Sequence, residues 1–417
     1  MRVRSSLITA IAALSFLAVS CRDASFEPTG ADGGSKDPGA RHAVEQQRHV
    51  MIMVSGGHNS ISSYLTEDLE DIAEGFVPAG TDAATNALVI ISRLPVNHLS
   101  TTSAPVVYRM YRDEAGAVVR DTLRAFTTED RLFGGDVLRE ALETVKHRLP
   151  AKSYGMVLSS HASGWLPDGY YENPSSFERS VSRRSIGQDK DDTVSVEMEL
   201  MDFTAALPFR MSYVVLDCCL SGGVEVAWAL RGKTDVVAFT QTETMADGFD
   251  YKSIVSRLLE EVVPNPLGVC QDFYNYYMAK TGVHQSATIS LVAPDKMDAL
   301  AAVCSALFEK YRSVIYSLAG GDVQGYFRYD RHYFYDLRDI LVKAGVSSDE
   351  LAQLDAALAK CVLYKAATPY FMKDTMYGFR IHTACGLSMY LPSMGSAFLN
   401  NHYINNIAWN QASSLVR

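Results

Sequence analysis

The chain is short of positive charge: 38 Lys and Arg stand against 48 Asp and Glu, a formal net charge of −10 over 417 residues. That deficit removes the electrostatic footing on which nucleic-acid binding rests, and it is better suited to a cationic partner or substrate. Cysteine is scarce as well. The seven in the chain include no C-x-x-C spacing, which excludes a disulfide scaffold and the common zinc motifs. Beyond Val19 no stretch is long and apolar enough to span a bilayer, and no internal repeat is found. What is present is globular in character, with 47% hydrophobic, 10% aromatic and 21% charged residues. Such a chain has ample apolar surface to bury in one large domain or in two to three ordinary ones.

The amino terminus reads as an address. Arg2 and Arg4 form a short basic region, Leu7 to Val19 an apolar one too short for a membrane span, and Ser20-Cys21 comes at once after it. Residues 1–21 resemble a bacterial lipoprotein signal, which implies lipidation of Cys21 and anchoring in the cell envelope or at the cell surface. A simple secretory signal cut near Ser20 is the alternative, and both imply export. Residues 22–47, with Pro28, Gly30, Gly33, Gly34, Pro38 and Gly39 in a polar background, are expected to be a flexible tether.

Apolar runs then alternate with helical periodicity. His49 to Val54, Ala87 to Ile91, Val106 to Tyr111, Tyr154 to Ser160, Tyr213 to Leu216 and Val236 to Phe239 read as strands. Leu65, Leu69 and Ile72, and the residues from Asp136 to His147, read as helices between them. This rhythm predicts an α/β domain with helices on both faces of a mostly parallel sheet over residues 48–250. Residues 251–417 read as helix-rich, with helices expected over 251–262, 267–281, 298–319 and 337–363 and single strands near 287–292 and 386–391. No linker divides the halves, so the second is expected to pack on the first and lend strands to it.

Two strand ends carry reactive side chains, in Ser159-Ser160-His161-Ala162-Ser163-Gly164-Trp165 and in Asp217-Cys218-Cys219-Leu220-Ser221-Gly222-Gly223-Val224-Glu225. In open α/β sheets ligands bind beyond the carboxyl ends of the strands. Taken alone, a histidine there is most often a turn residue and a cysteine a small buried hydrophobe. Taken together, an imidazole beside a thiol raises the thiolate fraction and can later protonate a leaving amine.

These boxes resemble those of the clostripain-like cysteine peptidases of the caspase-like clan, whose strands end in His-Gly-x-Gly-Trp and Asp-Ala-Cys-x-Met-Gly followed by Glu. Gly248-Phe249-Asp250-Tyr251, Asn59 after the first strand and the run Gly386–Pro392 extend the similarity over roughly residues 48–410. The resemblance implies a caspase–haemoglobinase sandwich with helical C-terminal additions. It makes His161 the base and Cys219 the nucleophile, because Cys218 occupies the family's alanine. It implies an oxyanion hole from backbone N–H groups of Ala162 and Cys219, and a pocket for Arg or Lys walled by Asp217 and Asp247. It also implies self-cleavage in the basic loop 162–193, with Arg179, Arg183 and Arg184 as candidates. The expected activity is that of a monomeric endopeptidase cutting protein or peptide substrates after Arg or Lys. The sequence requires no cofactor, and calcium enters through the resemblance only. Ala162 departs from the family's glycine, and alanine resists positive φ, which would misshape the oxyanion hole. A catalytically weak surface protein that binds basic peptides is therefore the second reading. A redox role for Cys218-Cys219 is disfavoured by their spacing.

Overall fold

The computed structural model describes residues 48–57, 59–94, 103–134, 136–167, 170, 174, 186–190, 195–261, 263–327 and 333–417. The signal and tether segments, Cys21 and the candidate cleavage sites Arg179, Arg183 and Arg184 lie outside them. Every residue of His49–Ser55, Ala87–Ser92, Tyr213–Asp217 and Val237–Phe239 is buried, as are all but the first of Ser153–Ser159. Strands buried on both faces belong at the centre of a parallel sheet. These five pair in parallel, in the order Val237–Phe239, Tyr213–Asp217, Ser153–Ser159, His49–Ser55, Ala87–Ser92.

Antiparallel strands flank this core on both sides. Val106–Arg112 and Val118–Ala125 continue from Ala87–Ser92, while Thr288–Val292 and Val362–Ala367 continue from Val237–Phe239, giving nine strands. The pleat sorts side chains between two cores: Val50, Ile52 and Val54 face one, Met51 and Met53 the other. Asp136–Arg148 and Asp298–Ile315 pack on the first face, Tyr251–Val255 and Pro266–Met278 on the second. Residues 46–417 form one compact unit, because the second half closes one edge of the sheet.

The structure differs from the sequence reading in several places, the unannounced rim strand Val118–Ala125 among them. The helix expected over 337–363 is two, Leu337–Lys343 and Ser348–Cys361, parted at Gly345 with φ +79°. Ser347 starts the second helix with a capping box to Glu350. Its end then turns directly into the strand Val362–Ala367, which no apolar run announced. The strand expected over 386–391 is only Ser388–Met389, paired with Tyr335–Asp336 outside the main sheet. The helix expected over 251–262 is a short α-helix, Tyr251–Val255, continued by a π-turn over Ser256–Glu260. Finally, the expected polar loop 162–193 contains an extended segment, Gln188–Lys190, paired with Ser195–Glu197.

Strand register sets the position of the site. Ser92 lies opposite Ser55, Ser55 opposite Ser159, and Ser159 opposite Asp217, so four strands end level at their carboxyl edge.

Candidate active site

His161 and Cys219 each stand two residues beyond a paired position, Ser159 and Asp217. Neighbouring strands lie about 4.8 Å apart, so the two residues leave the sheet side by side. Both line one cleft of about 580 Å³ over the carboxyl edge, together with Ser60, Asp68, Ala162 and Asp217. His161 Nε2 lies 2.9 Å from Ser60 Oγ. Cys219, half-buried, directs its thiol to Thr244 O at 3.9 Å. Cys218 is different. It is buried, donates to Leu158 O at 3.6 Å, and burial raises its thiol well above the ordinary value, so it stays protonated.

The glycines and aromatics of the two boxes hold them together. Gly164 has φ +66°, and a Cβ there would stand 2.5 Å from Leu220 O, so only glycine allows the two strand ends to approach. Leu220 itself has φ 58°, a left-handed conformation costly for leucine and held by its N–H on Thr242 O at 3.0 Å. Trp165 is buried edge-on against Tyr390 and Tyr403, each with ring centroids 5.0 Å away. Glu225 accepts from Tyr390 N and from the Tyr403 hydroxyl, and burial pushes its carboxyl up to about 7. The tryptophan and glutamate thus tie the C-terminal segment beneath the cleft. Alanine at 162 is not strained: the non-glycine residues with positive φ are Leu220, Met372, Asp374 and Ser414 among the described residues. The backbone strain expected at Ala162 therefore does not arise.

The chain from Ile186 onward, at the far end of the basic loop, is anchored firmly. Gly187 N–H donates to His161 O at 3.0 Å in an isolated antiparallel bridge of Ala162 with Ile186. In that type of bridge the Ala162 N–H points away from the partner segment. Asn59 Nδ2 donates to Gln188 O at 3.1 Å. Asp189 accepts from Leu132 N at 2.7 Å and forms an ion pair with Arg93, both side chains fully buried. None of this was legible from the loop's polar composition.

The acidic residues divide sharply. Asp217 is 6% exposed, accepts from the Tyr251 hydroxyl at 2.7 Å and the Ser159 hydroxyl at 3.4 Å, and burial raises its carboxyl to about 6. Gly248, at φ +57°, passes so close that a Cβ would meet Asp217 Oδ2 at 2.5 Å. The Gly248–Tyr251 segment is therefore the other side of the Asp217 pocket. Asp247, expected beside Asp217, follows Ala246 at the cleft but turns its carboxylate to Lys280. Its carboxylate, 43% exposed, pairs with Lys280 at 2.9 Å and accepts from Tyr276, while Ala246 and Gly248 line the cleft in its place. The partnership with Lys280, first among its causes, holds Asp247 below the usual carboxylate range. A different acid, Asp68 of the helix Ser62–Glu74, faces the cleft, and sequence reasoning missed it. Its one signal was its place beside Leu69, at the edge of the helix's buried stripe. Ser60 carried no signal at all. Among the described residues no group of three or more His, Cys, Asp or Glu is placed to hold a metal ion.

The solved structures of known proteins place this geometry. An inactive zymogen C11 protease from Parabacteroides distasonis is 26% identical, with a TM-score of 0.71 over 88% of this chain and 97% of its own. A secreted C11 cysteine protease from Bacteroides thetaiotaomicron, solved with an irreversible peptide inhibitor, has the same TM-score at 22% identity over 88% of this chain and 99% of its own, and bears on the fold. A search of the curated proteins found no match. The Clostripain family profile, a family of cysteine peptidases, matches residues 53–413. A sheet whose carboxyl edge brings a histidine and a cysteine into one cleft, and a family match over nearly the whole described chain, have one meaning: this chain belongs to the clostripain family of cysteine peptidases, with the caspase-like fold.

Proposed function

We propose that this peptidase is an exported, lipid-anchored monomer that cuts after Arg or Lys through a dyad of Cys219 and His161. The observation that carries the reading is the paired register of Ser159 with Asp217, which sets His161 and Cys219 together above a buried carboxylate. With Nε2 held by Ser60, proton traffic with Cys219 falls to His161 Nδ1. As Sγ attacks the carbonyl carbon, its proton passes to His161 and the carbonyl electron pair moves onto oxygen, stabilised by the N–H groups of Ala162 and Cys219. Collapse breaks the C–N bond while His161 returns the proton to the amine. Water then attacks the thioester, gives a proton to His161 and releases the acid, restoring the thiol.

Asp217 supplies the complement for the basic side chain before the cut. The second reading, a weak peptide-binding protein, is less favoured, because Ala162 carries no backbone strain and the family is one of cysteine peptidases. Activation is proposed to follow cleavage after Arg179, Arg183 or Arg184; the relative from Parabacteroides distasonis is an inactive zymogen, which favours processing in this chain too. Electrophoresis of wild type against Cys219→Ala tests this. Two bands in the wild type that the variant lacks, the C-terminal one beginning at Ser180, Arg184 or Ser185, are expected. A single intact band from active enzyme would refute self-cleavage.

A further inference from the structure

We propose that Asp68 is the second carboxylate of the pocket for the basic residue, acting with Asp217 in the place that Asp247 vacates. This rests on the peptidase reading above and names the side chain that sets its preference. Asp68 and Asp217 line the same cleft as Cys219, while the Asp247 carboxylate is taken up by Lys280. Leu65, Leu69 and Ile72 root one side of the helix Ser62–Glu74 in the protein, and Asp68 rides at the edge of that side, while Glu67 and Glu70 face solvent. Asp217 has Tyr251 and Ser159 as donors, but among the described residues nothing donates to Asp68.

Its surroundings ask for a cation. Asp217, Asp71 and Glu67 act on it with like charge, Tyr251 and Tyr277 lie within its field, and Glu197 and Glu243 line the same cleft. Asp71 is itself engaged by Lys252. No Lys or Arg lines the cleft among the described residues; His161 is its one basic side chain. Burial first, then the Asp217 carboxylate, raises Asp68 to about 9, so in the empty cleft it is protonated at neutral pH. A guanidinium or ammonium seated between Asp68 and Asp217 favours both ionised forms. Binding then forms the ion pair and expels a proton to solvent, and it strengthens as pH rises. A pocket with Asp217 alone, at about 6, would be saturated well below pH 8.

The test uses the full chain and two peptide amides that differ only before the cut, one with Arg and one with norleucine. The ratio of their kcat/KM values is measured from pH 6 to 9.5 for wild type, Asp68→Asn, Asp68→Glu and Asp247→Asn. In wild type the ratio should climb with pH toward 9. Asp68→Asn should lower it by about 10²-fold at pH 8.5 and flatten the climb, Asp68→Glu should restore part of both, and Asp247→Asn should move it by less than threefold. Equal loss on both peptides in Asp68→Asn leaves the ratio unmoved and assigns Asp68 a structural role, overturning the proposal while the dyad stands. A collapse of the ratio in Asp247→Asn with none in Asp68→Asn overturns it in favour of Asp247. A wild type that prefers norleucine sinks the specificity reading itself, not only this residue.

Discussion

His49 and His161 sit at opposite ends of two neighbouring parallel strands, and the difference between those ends explains the molecule. At the amino edge the ring of His49, 5% exposed, is closed in by Ser153 Oγ at 2.7 Å and Tyr213 Oη at 3.1 Å. Burial drives its pKa down to about 4, so it is a neutral, satisfied core group. At the carboxyl edge His161 meets Ser60 and opens onto a cleft shared with a thiol and carboxylates. One residue type on one pair of strands is structural where the polar groups saturate one another and is the proposed base where the sheet leaves room for a substrate.

Core and cleft separate most steeply at the double cysteine, where adjacent residues face opposite environments. Cys219→Ala is expected to abolish cleavage of an arginyl amide, and Cys218→Ala to retain most of it; a reversed result in the same assay would move the nucleophile into the core. Next in size, His161→Ala should lower kcat by at least about 10²-fold with the melting temperature unchanged. His49→Gln should do the opposite, keeping kcat but losing roughly 1–3 kcal/mol of stability through broken buried hydrogen bonds. Paired kinetics and denaturant melts separate the two.

The amino edge also carries a pH dependence. The unfolded chain takes up a proton at His49 near pH 6.5 and the folded chain only near 4, so in that window the unfolded state holds more protons. Stability from this site is complete above about pH 6.5 and is lost as pH falls toward 4, by ~2–3 kcal/mol. The difference between wild type and His49→Gln isolates it, because Asp217 and Glu225, raised by burial, act in the opposite direction. A difference that does not vary with pH would show His49 to be solvated. Smallest, Ser60→Ala should lower kcat by about tenfold with KM kept, and displace the acid limb of the pH profile; Ser60→Thr should recover it. An unmoved profile would make the hydrogen bond to His161 incidental.

The central strands were legible because a strand buried on both faces must be apolar throughout, as His49–Ser55 and Tyr213–Asp217 are. The sheet's rims were not. Val118–Ala125 is half polar, with exposed Arg120 and Asp121, and Val362–Ala367 continues a helix without a break in pattern. His161, Cys219 and Asp217 could be read because each ends or follows a strand within a recognisable box. Asp247 could not be separated from Asp217 by sequence, since only the fold shows that Lys280 reaches it. Asp68 and Ser60 escaped because their places at the cleft come from a helix and a turn brought over the sheet from about a hundred residues and more away in sequence.

The proposed catalysis turns on one side chain, and reaction with an arginyl chloromethyl ketone followed by peptide mass spectrometry tests it most directly. A single adduct on Cys219, slowed strongly in His161→Ala and in Asp217→Asn but not in His49→Gln, is the predicted result. An adduct on Cys218, or labelling of Cys219 at the same rate by an uncharged chloromethyl ketone, would contradict it.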